Sequence, residues 1–167
     1  MEIAEAVRNT SIFGSLEAAE LDDVLKIIRE RRFLEGDVIM REGDDGDSLY
    51  ILAEGEVGVS KSLTMKFADD DYRETEKVLT RFRDADRVIF GEMALIGRDN
   101  RSATVMAKTD CTLAEIRREE FMALIEGRPQ IGVKILMKVA ELLVVRLRQA
   151  SRDVIRLTTA LSIALSK

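Results

Sequence analysis

The chain has 167 residues, 46% of them hydrophobic and 34% charged, with a single proline; that suffices for one ordinary core and leaves too little for two domains of normal size. It holds no histidine and a lone cysteine, Cys111, which excludes a catalytic histidine, a histidine-built metal site and an internal disulfide, and with them most hydrolase chemistry. The formal net charge of −5 argues against DNA binding by this chain alone, and with neither a signal-type leader nor an apolar run of about 18 residues the expectation is a cytoplasmic protein off the membrane.

In chain order, Ile12-Phe13-Gly14-Ser15 leads into Leu16, Ala19, Leu21, Val24, Leu25, Ile27 and Ile28 at helical spacing, which predicts an N-terminal helix with Ser15 as N-cap. From Arg32 to about Val59 the pattern changes to short apolar pieces (Val38-Ile39-Met40, Leu49-Tyr50-Ile51-Leu52, Val57-Gly58-Val59) punctuated by Gly36, Gly43, Gly46 and Gly55. Short strands joined by tight turns are predicted there. Ser60 to Lys77 is the most polar stretch and reads as a long hairpin tip. Its run Ala68-Asp69-Asp70-Asp71 lacks the oxygen-ligand spacing of a calcium loop and is expected to be solvated. Strand character resumes at Val78-Leu79-Thr80-Arg81-Phe82, and Thr109-Asp110-Cys111-Thr112-Leu113 reads as a strand with a buried, inert thiol.

Toward the C-terminus, Glu119 to about Gly127 predicts a short helix and a long one begins after Pro129. In the long helix Leu136, Ala140, Leu143, Leu147, Ala150, Val154, Leu157, Leu161 and Ala164 recur in steps of four and three, a seam of about four heptads that predicts a homodimer. Ile135, Val139, Leu142 and Val145 form a neighbouring stripe suited to resting on the rest of the fold.

The most informative run is Phe90-Gly91-Glu92-Met93-Ala94-Leu95-Ile96-Gly97-Arg98-Asp99-Asn100-Arg101-Ser102-Ala103-Thr104-Val105. It resembles the phosphate-binding cassette of the cyclic-nucleotide-binding domain family, found in the catabolite activator protein, in regulatory subunits of cyclic-nucleotide-dependent kinases and in cyclic-nucleotide-gated channels. The likeness extends upstream through Gly43-Asp44-Asp45-Gly46-Asp47-Ser48-Leu49-Tyr50-Ile51-Leu52-Ala53-Glu54-Gly55 and covers about residues 12 to 150. It implies a mainly β fold: an eight-stranded β-roll, or double-stranded β-helix of jelly-roll type, with an N-terminal helix and a long C-terminal helix. Residues 1–130 would form the roll with its N-terminal helices and the cassette (about 90–105), and 131–167 the helix that serves as lid and dimerisation element.

A cyclic nucleotide offers one negative phosphate, one free 2'-hydroxyl and one base, so a site needs a cation, an acceptor and a lid. Arg101 can present a planar fork to two phosphate oxygens. Glu92, nine residues earlier, can accept from the ribose hydroxyl. Gly91 lets backbone approach closely, a helical turn near Glu92 would aim the amides of Met93 and Ala94 at the anion, and Ser102 can add a hydroxyl or its own N–H. Leu142, Leu143 and Arg146 of the long helix are candidates for the base lid, with Arg146 stacking its guanidinium on the purine. In the family a threonine just after the cassette arginine tends to accompany cGMP, so Ser102 points to cAMP over cGMP. No catalytic residue, metal or cofactor is expected.

The sequence departs from the family in two places: Asp84-Ala85-Asp86-Arg87-Val88-Ile89 replaces the usual Gly-Asp before Phe-Gly-Glu, and the hairpin from Ser60 to Lys77 is longer than usual. Only 17 residues follow Ala150, with no second helix pair to enter a DNA groove, so the output is expected to act through an unknown effector protein or through further parts of a longer chain. Two functions stand open from the residues: a nucleotide sensor, and a structural or interaction module of the same fold that has lost its ligand. A metal-dependent jelly-roll enzyme would need the histidines this chain lacks.

Overall fold

The computed structural model describes residues 3–68, 71–97 and 100–166, with side chains outside 63–77. Two short helices, α1 (Ile3–Arg8) and α2 (Ala18–Leu25), precede eight strands: β1 (Ile28–Phe33), β2 (Val38–Met40), β3 (Ser48–Glu54), β4 (Glu56–Ala68), β5 (Asp71–Arg83), β6 (Ile89–Phe90), β7 (Thr104–Ala107) and β8 (Cys111–Arg117). A 3₁₀ turn at Asp84–Asp86 follows β5, α3 (Met93–Ile96) lies between β6 and β7, and α4 (Arg118–Gly127) and α5 (Pro129–Leu165) complete the order. The strands make two antiparallel sheets, ordered β1-β8-β3-β6 and β2-β7-β4-β5. This is the eight-stranded β-roll with flanking helices that the sequence led us to expect.

The strand period of two builds two cores from one sheet. Along β3 and β8, Leu49, Ile51, Ala114 and Ile116 face outward and pack under Val7, Phe13, Val24, Phe121, Ile131 and Ile135 from the helical segments. Their alternates Tyr50, Leu52, Leu113 and Cys111 face inward against Val57, Val105 and Ala107 of the second sheet. Buried on both faces, β3 reads as an unbroken apolar run after Ser48. The turn that follows depends on Gly55 at a φ of 100°, where an added Cβ would sit 2.5 Å from the Asp110 carbonyl oxygen. Cys111 is buried, with Sγ 3.3 Å from the Glu56 carbonyl oxygen, and burial raises its pKa.

Three local expectations change. Helix α2 starts at Ala18, capped by Glu17 rather than Ser15, because the Glu20 carboxylate accepts the Glu17 backbone N–H at 2.8 Å and closes a capping box. It ends at Leu25, since Ile28 is taken into β1 opposite Ile116, and sheet pairing overrides helical spacing. The segment 60–77 is the long hairpin expected, but strand character does not lapse before Val78: cross-strand pairing persists from Glu56↔Arg83 to Ala68↔Asp71, whereas β7 accompanies β4 only from Val57 to Ser60. A two-stranded ribbon therefore runs past the sheet. Asp69 and Asp70, half of the acidic run read as solvated, lie outside the described residues.

Helix α5 spans 37 residues and divides into two parts. Ile131, Ile135 and Val139 are buried in the outer core, Leu142 and Leu143 pack at its border, and Lys134 ties the helix to Glu20 of α2 at 2.6 Å. At Gly132 an added Cβ would come within 2.8 Å of the Ile125 Cβ, so the glycine lets α5 cross α4 closely. Beyond Leu143 almost every residue is exposed, Val145 included, so that member of the expected inner stripe does not rest on the roll. The seam residues Leu147, Val154, Leu157 and Leu161 all face solvent. Among the described residues no helix is long and apolar enough to cross a membrane.

Candidate functional site

Strand β6 is two residues long, yet it sets the site, because Phe90 pairs with Tyr50 and Ile89 with Ile51. The 3₁₀ turn before it ends on Arg87 in the left-handed region, φ 50°, and so turns the unusual Asp84–Ile89 approach into the sheet edge. After Phe90 the chain turns sharply at Gly91, φ 77°. From there Ala94 N–H donates to the Gly91 carbonyl oxygen at 3.1 Å and Leu95 N–H to that of Glu92 at 3.1 Å, giving the single helical turn of α3. Of the two amides expected to aim at an anion, that of Ala94 is thus used in closing the turn.

Beside this turn is a cavity of about 260 Å³. Gly91, Glu92, Met93, Ala94, Arg101, Ser102 and Arg146 all border it, so seven of the eight candidate ligand residues converge from segments far apart in sequence. The eighth, Leu142, does not line it; with Leu143 it packs against the outer core, one helical turn too early to reach the opening. Arg146, one turn further along, is the part of the proposed lid that reaches the cavity.

Sequence reasoning missed the apolar wall made by Met40, Val59, Phe82 and Val88, with Thr80 and Asn100 at its polar points. The signal was present in part: Val57 and Val59, and Thr80 and Phe82, alternate on strands β4 and β5, and a register would have put each pair on the inward face.

Arg101 is held by its backbone and its side chain together. Its N–H donates to the Asp44 carbonyl oxygen at 2.8 Å, and its own carbonyl accepts from Gly43 N–H at 3.0 Å, which clamps it to the β2–β3 turn. The side chain is 8% exposed. Nη1 donates to the Ser48 carbonyl oxygen at 2.7 Å, and the guanidinium carbon lies 5.9 Å from the Tyr50 ring centroid. Among the described residues no carboxylate pairs with it.

Glu92 is 3% exposed and accepts a hydrogen bond from Arg146 Nη1, whose Nη2 also donates to the Ile89 carbonyl oxygen at 2.8 Å. Helix α5 is therefore pinned to the turn between β6 and α3 by one side chain. The cavity presents a buried cation without a carboxylate partner among the described residues, a carboxylate already engaged by a second arginine, and an apolar wall. A compact monoanion with polar groups on one side and a flat apolar group on the other fits that chemistry.

The family model for the cyclic nucleotide-binding domain matches residues 30–128. The chain is 34% identical over 119 residues to the cAMP-dependent protein kinase type II regulatory subunit of Drosophila melanogaster, a match covering 71% of this chain and 28% of that protein. It is 29% identical over 147 residues to the Cyclic AMP receptor protein of Thermus thermophilus, covering 88% of this chain and 62% of the relative. The chain thus spans less than two thirds of the length of each. Among solved structures, the Thermus thermophilus catabolite activator protein superposes with a TM-score of 0.74 at 30% identity, over 89% of this chain and 63% of that one.

Two glycines near Arg101 give a ligand-independent check of this geometry. At Gly91 an added Cβ would stand 2.5 Å from Arg101 Nη1 and 2.7 Å from the Ser48 carbonyl oxygen at a positive φ, while at Gly46 the nearest atoms are 3.1 Å away and φ is ordinary. Gly91→Ala is expected to cost about 1–3 kcal/mol of stability in urea unfolding, and Gly46→Ala clearly less. Equal costs would show that the turn does not need the left-handed conformation.

Proposed function

The chain belongs to the cyclic-nucleotide-binding domain family, and from that premise we propose that it is a cAMP-sensing regulatory domain that changes the packing of its C-terminal helix when nucleotide binds. The observation that carries this reading is Arg101, a buried cation beside a cavity with no carboxylate partner among the described residues. Removing a charge from water is expensive unless an opposite charge meets it. A module that had lost its ligand would gain by replacing such an arginine with an apolar residue, so the buried charge favours retained binding over the interaction-module alternative.

Arg101 then meets the equatorial phosphate oxygens and Glu92 accepts from the ribose 2'-hydroxyl, with the purine against the apolar wall. Ser102 beside the arginine and the cAMP named in both relatives support cAMP over cGMP. The protein binds without transforming its ligand, needs no metal or cofactor, and works in the cytoplasm on an effector protein.

Transmission runs through Arg146. Its bond to Glu92 engages the carboxylate that the ribose needs, so a bound nucleotide must share or displace it, and either event changes the preferred position of α5. The exposed seam Leu147, Val154, Leu157 and Leu161 supplies the surface on which α5 pairs with a second copy. In this division residues 1–130 are the sensing roll and 131–167 the lid and dimer element.

Calorimetric titration with cAMP and cGMP tests the central reading. Arg101→Ala is expected to weaken cAMP about 30-fold to several thousandfold while the fold is kept, since one partner of a desolvated charge pair is lost; affinity within threefold of the parent would remove the assignment. For Glu92, 2'-deoxy-cAMP should bind more weakly than cAMP by about 1–3 kcal/mol, a gap that Glu92→Gln narrows. Equal binding of the two ligands would assign Glu92 to Arg146 alone. For the helix, Leu147→Glu with Val154→Glu puts like charges in the seam and leaves the outer core untouched. It should give monomers in sedimentation, against dimers for the parent chain, and a monomeric parent at tens of micromolar with or without cAMP would overturn the dimer.

A further inference from the structure

We propose that Tyr50 is a positioning residue for Arg101, its ring face fixing the tilt from which the guanidinium meets the phosphate. The inference rests on the reading of the cavity as a cyclic-phosphate site. A buried guanidinium with no carboxylate beside it needs some other electron-rich surface, and among the described residues Arg101 meets the Ser48 carbonyl oxygen at 2.7 Å and the Tyr50 ring at 5.9 Å, with no carboxylate partner. The carbonyl engages one nitrogen and leaves rotation about that bond open. The ring face closes that freedom and leaves the other N–H groups for the ligand.

For this to work the ring itself must be immobile, and three contacts hold it. Tyr50 stands directly opposite Glu115 on one side and Phe90 on the other. Its hydroxyl donates to Glu115 Oε1 at 2.9 Å, and its ring stacks on that of Phe90 with centroids 5.7 Å apart. Glu115 is 3% exposed, and its second oxygen meets Arg31 Nη1 at 3.4 Å, so the acceptor is anchored as well. If only volume were needed here, leucine or phenylalanine would fill the core without burying a hydroxyl and a carboxylate. Burial and the bond to Glu115 push the hydroxyl's pKa above its ordinary value, so the proton that bridges to Glu115 is held more firmly than in a free tyrosine.

The test is a double-mutant cycle on cAMP affinity, by calorimetry on the full chain. In the parent background Tyr50→Leu is expected to weaken binding about 5- to 20-fold and Tyr50→Phe about 2- to 4-fold, because phenylalanine keeps the ring and loses its tether. In an Arg101→Lys background, where no planar cation lies on the ring, the same changes should alter affinity less than about twofold. Equal factors in both backgrounds, or an unchanged affinity in the first, would mean that Tyr50 only fills the core. Should Tyr50→Leu fail to fold, Tyr50→Phe in the two backgrounds decides by the same criterion. No binding of cAMP or cGMP by the parent would remove the cyclic-phosphate reading and this inference with it, whereas parental binding with indifferent Tyr50 variants removes this inference alone.

Discussion

The structure turns on how a positive charge is kept inside a small β-roll with no carboxylate pairing with it among the described residues. Arg101 is locked through its backbone to the β2–β3 turn and through its side chain to β3. Those two segments are therefore fixed relative to the turn between β6 and α3. Had an aspartate paired with the guanidinium, the roll would gain stability and the cavity would lose its attraction for anions. Stability withheld at this point is what leaves affinity for a ligand, a familiar exchange at binding sites.

Strand β3 makes the arrangement possible. One face of it feeds the outer core under the helices and the other the inner core between the sheets, so displacement on either side is felt on the other. Tyr50 belongs to the inner face and touches the cassette through Phe90 and Arg101. Leu49 and Ile51 belong to the outer face, in one cluster with Ile135 and Val139 of α5. Cassette and terminal helix thus share a strand as well as the bond between Glu92 and Arg146.

Much of this was legible in the sequence, and the reasons for the remainder are physical. Turn glycines and short apolar pieces identified the strands because both are local signals. The cassette was legible through the resemblance of the run from Phe90 to Val105 to the family, with Glu92 and Arg101 nine residues apart. Register was not legible, so the inward placement of Val59, opposite Thr80, and of Phe82, opposite Val57, was missed. The α2 cap fell on Glu17 because a reciprocal bond with Glu20 outweighs the preference of Ser15. Leu142 was assigned to the lid by distance along the helix; it shares a face with Arg146 but stands one turn too early, so it packs at the border of the outer core while Arg146 reaches the cavity. The pairing of Glu92 with Arg146 joins residues 54 apart, a separation over which sequence pattern carries no signal.

Helix α5 is held along its first half, from Gly132 against Ile125 through Val139 and Leu143 to the bond between Arg146 and Glu92, and runs on unsupported to Leu165. At 1.5 Å per residue the free arm beyond Arg146 is about 28 Å long, so a tilt of roughly 5° at the last grip sweeps the tip through about 2.5 Å. The helix is in this sense an arm hinged where the guanidinium of Arg146 meets Glu92. A rotation of the helix about that point would grow along the arm and be largest near Leu165, among its exposed apolar side chains.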